Sequence, residues 1–108
     1  MEFMTPEGHT NFHAKILFDC KEEGRAGKMQ WGALAYIDRD GGGPRGNHTH
    51  KSAHIFIVTE GRVRVMLGET AHTVNKDESF YVPGMVPHSI WNDGGETAKV
   101  IKLNVLPE

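Results

Sequence analysis

The sequence predicts an all-β fold, a β-sandwich or small β-barrel, on three observations. Eight short β-rich runs are separated by Gly, Pro, Asn or Asp at intervals of about 8–12 residues. No long stretch carries apolar residues at helical spacing. The run Arg62-Val63-Arg64-Val65-Met66-Leu67 alternates cleanly, which sets Val63, Val65 and Leu67 on a core face and the arginines outside.

In chain order the expected strands are Phe12–Asp19, Met29–Ile37, His48–Thr59, Arg62–Leu67, Ala71–Val74, Ser79–Val82, His88–Trp91 and Ala98–Val105. Between the second and third, Asp40-Gly41-Gly42-Gly43-Pro44-Arg45-Gly46-Asn47 reads as a glycine-rich loop that feeds the first histidine of the third strand. Glu60-Gly61 is expected to close a tight hairpin, and Gly68-Glu69-Thr70 turns the chain again. Residues 1–108 fit a single domain, with residues 1–3 a possible cloning remnant ahead of Met4.

Composition narrows the function classes. Hydrophobic residues make up 38% and charged residues 24%, an ordinary globular balance. The formal charge of −2 argues against a nucleic-acid partner, which calls for a basic face. No apolar run approaches the roughly 20 residues of a membrane span. The first residues show no signal-peptide pattern, so a cytoplasmic location is expected. The single cysteine, Cys20, precludes an internal disulfide and a cysteine-based zinc knuckle.

Seven histidines in so short a chain stand out. On a strand, residues two and four apart share a face, so His48, His50 and His54 are expected to project from one side of one strand, beside Phe56 and Val58. Three adjacent inward imidazoles are poorly served by core packing and well served by a shared cation. His88 offers a fourth from a later strand, just after Pro83-Gly84-Met85-Val86-Pro87.

At these residues the chain resembles the cupin family. One motif reads Gly42, five residues, His48-Thr49-His50, three residues, His54, six residues, Gly61. The other reads Asp77, five residues, Pro83-Gly84-Met85, two residues, His88, three residues, Asn92. The resemblance implies a double-stranded β-helix, or jelly roll, with one divalent transition metal per chain (Zn, Ni, Fe, Cu or Mn) held by His48, His50, His54 and His88. Three positions depart from the family pattern. His54 stands where most metal-binding relatives carry a glutamate, Asp77 replaces a turn glycine, and Met85 replaces a second glycine. The last change predicts a backbone that avoids the left-handed region at Met85.

Replacing glutamate by imidazole leaves the ion's double charge uncancelled, which strengthens it as a Lewis acid. His54 can alternatively stand near the ion without binding it. The leading expectation is an enzyme acting on a small oxygenated metabolite, by dioxygenase or by non-redox isomerase or cyclase chemistry, with no catalytic side chain identified. A non-catalytic binding or sensing module is the alternative, and a closed structural zinc site a third. One or two of Tyr36, Phe80, Tyr81, Met85 and Trp91 are expected to line a pocket beside the metal. His9, His13 and His72 are expected at the surface, as are Glu60, Glu78 and Arg45. A homodimer is expected, because small sheets have edges to protect.

Overall fold

The computed structural model describes residues 2–20 and 28–106, with Asn47 and His48 given by their backbone only. All regular structure among them is β: β1 (Thr10–Asp19), β2 (Met29–His48), β3 (Ala53–Glu60), β4 (Arg62–Leu67), β5 (Thr70–Asn75), β6 (Ser79–Val82), β7 (His88–Asn92) and β8 (Ala98–Val105). They form one antiparallel sheet in the order β5-β4-β7-β2-β8-β3-β6, with β1 added on β2. The sheet curls until β3 comes against β5, which nearly closes a barrel. No helix of the described chain is long and apolar enough to cross a membrane.

The barrel follows from alternation. Ile37, Phe56, Val58, Val63, Val65, Val74, Val82, Ile90 and Val100 are each at most 3% exposed and pack as one core. Burying each such side chain contributes roughly 1.5–3 kcal/mol. Val63 and Val65 fill the inside as their alternation predicts, with Leu67 partly buried against the same core.

Three local expectations are corrected. The glycine-rich stretch is not a loop, because β2 runs through it to His48. Glycine is required there for close approach: a Cβ on Gly42 (φ 147°) would collide with the Ile90 carbonyl and the Trp91 ring across the β2–β7 pair. The third expected strand is divided, since β2 ends at His48 and β3 begins at Ala53, with Thr49–Ser52 crossing between strands that do not pair. Glu60-Gly61 does not close a hairpin either, because β3 pairs with β6 and β8 whereas β4 pairs with β5 and β7. The turn at Gly68-Glu69 does join paired strands, β4 and β5.

Candidate metal centre

His50, His54 and His88 come together at one end of the barrel from three different segments. His54 is on β3 and His88 opens β7, and they are 2% and 3% exposed. His50 sits in the crossing between β2 and β3 and is half-buried. The expectation that one strand carries three of the histidines is therefore overturned: only His54 belongs to the strand that also turns Phe56 and Val58 inward. The backbone of His48 lies opposite His88 in the β2–β7 register. Its side chain lies outside the described residues.

Two contacts lock the crossing in place. The Met85 amide donates to the His50 carbonyl at 2.7 Å. Gly84 sits so tightly over Lys51 that a Cβ would collide with the Lys51 carbonyl. The turn that precedes His88 thus clamps the segment that bears His50. Met85 takes φ 67°, so the expected avoidance of the left-handed region is wrong. The clamp over-determines the conformation, and the methionine side chain points to solvent at 63% exposure. Asp77 adopts φ 69° in the turn before β6, doing the work of the glycine it replaces.

The hydrogen bonds define which imidazole nitrogens face the centre. Nδ1 of His50 lies 2.8 Å from the Ser52 carbonyl, and Nδ1 of His88 lies 2.8 Å from the Val86 carbonyl. A carbonyl only accepts, so each Nδ1 carries the proton and each Nε2 of the neutral ring carries a lone pair. His54 Nε2 lies 2.6 Å from His50 Nε2. The ring centroids are 4.3–5.3 Å apart, with all three pairs edge-on. The three ligand nitrogens fall within 4.8 Å of one another. Two nitrogens bound tetrahedrally at about 2.1 Å from one ion stand about 3.4 Å apart, a spacing that lies between the 2.6 Å contact and the 4.8 Å limit found here. The donor set is imidazole alone, which fits a transition metal better than Mg or Ca.

A half-buried polar relay supports His50. Ser52 Oγ lies 3.2 Å from His50 Nδ1 and donates to Asn104 Oδ1 at 3.0 Å, and Asn104 Nδ2 donates to Gln30 Oε1 at 2.6 Å. Burial, aided by the nearby charges of His50 and Lys102, holds the His88 pKa below its usual 6.5. His88 is therefore neutral, and competent as a ligand, at pH 7.

A cavity of about 480 Å³ is bounded by Phe12, Ala14, Ile16, Trp31, Ala33 and Ala35, with His9 and Lys102 in its wall. None of the three imidazoles lines it, and Trp31 is its link to the cluster, 6.3 Å from the His54 ring between centroids. His9, Phe12 and Lys102 also border a smaller gap that reaches His88 and Phe56. Tyr36, Phe80, Tyr81, Met85 and Trp91 line neither space, so the expected pocket residues are replaced by Phe12, Trp31 and Phe56. Tyr81 and Met85 instead border a separate groove of about 350 Å³. His13 is exposed and contacts Asp38 at 3.0 Å, and His72 is half-buried against the Phe80 ring. His9 and His72 both depart from their expected surface positions, His9 being half-buried against Phe12 at 4.6 Å between centroids. Glu60, Glu78 and Arg45 are exposed as expected.

Lys102 escaped the sequence reading. Its signal was alternation: in β8, Ala98, Val100 and Asn104 turn inward, and Lys102 shares their parity.

An antiparallel β-barrel with imidazoles gathered at one mouth defines a small barrel-type protein whose His50, His54 and His88 could hold a metal ion. The chain belongs to the cupin family, whose domain model matches residues 35–105. No curated protein matches its sequence significantly. Among solved structures, a predicted oxalate decarboxylase from Thermotoga maritima superposes with TM-score 0.82 at 15% identity, over 98% of this chain and 91% of that one. The polyketide cyclase RemF from Streptomyces resistomycificus gives TM-score 0.77 at 18% identity, over 98% and 72%. The Cnp3 cupin domain from Schizosaccharomyces pombe gives 0.78 at 16%, over 99% and 69%. At these identities the likeness is one of fold.

Proposed function

We propose that this cupin is a metal-dependent enzyme in which His50, His54 and His88, completed by His48, hold one divalent transition ion. The observation that carries the reading is the pair of Nε2 lone pairs on His50 and His88, fixed by backbone carbonyls and converging on His54. Such an ion would supply Lewis-acid polarisation, or redox chemistry if it is Fe or Cu. The chain's own residues supply the rest. The carbonyls of Ser52 and Val86 set the ring tautomers, Asn104 steadies Ser52, and the apolar walls of Phe12, Trp31 and Ala33 exclude water from a bound substrate.

The substrate class is a compact oxygenated metabolite able to chelate the ion, and the reaction is either dioxygenation or a non-redox isomerisation or cyclisation. Structural likeness to a polyketide cyclase accords with the cyclisation class. Metal analysis of protein purified without a metal-charged column tests the reading. About one transition ion per chain is expected, with iron or copper favouring oxygen chemistry and zinc, nickel or manganese the non-redox class. A metal-free protein that also fails to take up any of these ions sinks it.

A ligand-sensing cupin is the second reading. It is favoured by the cluster itself, in which no carboxylate stands among the described residues to serve as a base. Turnover of no chelating substrate by fully loaded protein would select it. The assembly is proposed to be a cytoplasmic homodimer. Exposed Tyr81, Met85 and Leu106 border the outer groove beside β6, the end of the sheet, and a solution mass equal to one chain would rule pairing out.

A further inference from the structure

Lys102 is a cation in the wrong place for an ordinary surface lysine. It projects from β8 on the inward face, between Val100 and Asn104, which are 1% and 4% exposed. Its Nζ stands 5.4 Å from the centre of the Trp31 ring and 6.0 Å from that of Phe56. Among the described residues no carboxylate lies within ion-pair distance of it. Two carboxylates, Glu2 and Glu7, also line the cavity, and both residues are exposed.

A desolvated ammonium held only by aromatic faces is costly unless something anionic answers it. The cavity it borders is walled mainly by apolar side chains, with the charged Glu2, Glu7 and Lys15 also in its lining, and is large enough, at about 480 Å³, for a one- or two-ring molecule. His9, from the segment before β1, shares this wall. The gap that leads on to His88 has the same two residues in its lining.

We infer that Lys102, with His9 beside it, reads an anionic group on the ligand, and that the cavity selects small carboxylates with an apolar body. The inference rests on the reading of this mouth as the ligand site and adds its charge preference. An acid bound this way keeps its ring or chain between Trp31, Phe12 and Ala33, within reach of the imidazole cluster. Lys102 is a binding and specificity residue in this account, and no proton transfer is assigned to it. Burial lowers its pKa to about 8, which still leaves the side chain mostly charged at neutral pH.

The test is calorimetric titration of metal-stripped protein at neutral pH with benzoate and with its neutral isostere benzamide. Benzoate is expected to bind at least tenfold more tightly. Lys102→Met, which keeps the apolar stem, should abolish that preference, and Lys102→Arg should retain part of it. Equal affinities, or no binding of benzoate, overturn the inference with wild-type protein alone, whether or not either variant folds. A preference that persists in a folded Lys102→Met variant overturns it as well. A parallel zinc titration separates this inference from the metal reading. Zinc uptake without a benzoate preference defeats only the anion site, and a benzoate preference without zinc uptake defeats only the metal centre.

Discussion

The two ends of the barrel are built from the same strands and differ only in what those strands turn inward. On β3 the inward ladder runs Val58, Phe56, His54; on β7 it runs Ile90, His88; on β8 it runs Ala98, Val100, Lys102, Asn104. Burial is nearly constant along the β3 ladder, with Val58 at 0% and His54 at 2%. The chemistry is not constant. At one end, dry aliphatic side chains contribute stability by leaving water. At the other, equally buried polar groups are desolvated at a cost that hydrogen bonds offset only in part. One sheet therefore supplies both the stability of the molecule and the place where that stability is put to use.

That contrast can be broken by substitution at either end. The largest effect belongs to the aliphatic end: Ile37→Ala, at a fully buried position, should lower unfolding free energy by about 3 kcal/mol while leaving ion affinity intact in whatever protein remains folded. Urea denaturation monitored by tryptophan fluorescence measures the first, and an ion titration the second. At the polar end the pattern should invert. His54→Ala should weaken ion binding by more than the 10–100-fold typical of losing an outer hydrogen-bond partner, yet leave residual binding through the remaining imidazoles. Unchanged binding would show that His54 only stands nearby.

A smaller loss, about tenfold, is expected for Asn104→Ala, which deprives Ser52 of its partner and loosens His50 without touching the ligand nitrogens. If ion affinity is unaffected, the relay serves folding alone. The smallest change should come from Met85→Gly, which relieves a left-handed non-glycine residue and should stabilise the chain by up to about 1 kcal/mol, with no effect on the ion. A destabilised Met85→Gly protein would mean that the unfolded state's gain in freedom outweighs the relieved strain.

The aliphatic end was the more legible in the sequence, and the reason is physical. β4, β6 and β8 begin and end where alternation and turn residues place them, because binary pattern and period coincide there. The other end breaks local rules. Glycine is a loop signal until a neighbouring strand needs the space, as Ile90 and Trp91 do at Gly42. His48, His50 and His54 have strand spacing, yet the chain leaves β2 and crosses to β3 between them, a crossing held by the distant clamp of Gly84 and Met85 together with the local His50–Ser52 contacts. Lys102 went unread because lysine signals surface, although its parity on β8 placed it inside. That His50, His54 and His88 come together was readable from motif spacing; the tautomers that make His50 and His88 acceptors were not, since they depend on the carbonyls of Ser52 and Val86.

The most direct measurement is the shift in melting temperature on adding Zn²⁺, taken relative to metal-free protein at the same pH. Ion binding to the folded state alone at 100-fold excess over Kd adds about 2.7 kcal/mol, a rise of roughly 10 °C for a domain of this size. Neutral imidazole is needed, so the shift should be full above pH 6.5 and should collapse by about pH 5. The metal-free baseline moves the same way. The folded-state pKa of His88 is lowered, so its contribution is complete above 6.5 and is lost as pH falls through the depressed value, which is why the comparison is made at matched pH. A large shift at pH 7.5 that vanishes near pH 5 and is strongly reduced in His54→Ala is the predicted result. No shift at pH 7.5, or the same shift at both pH values, would contradict a metal centre made of histidines.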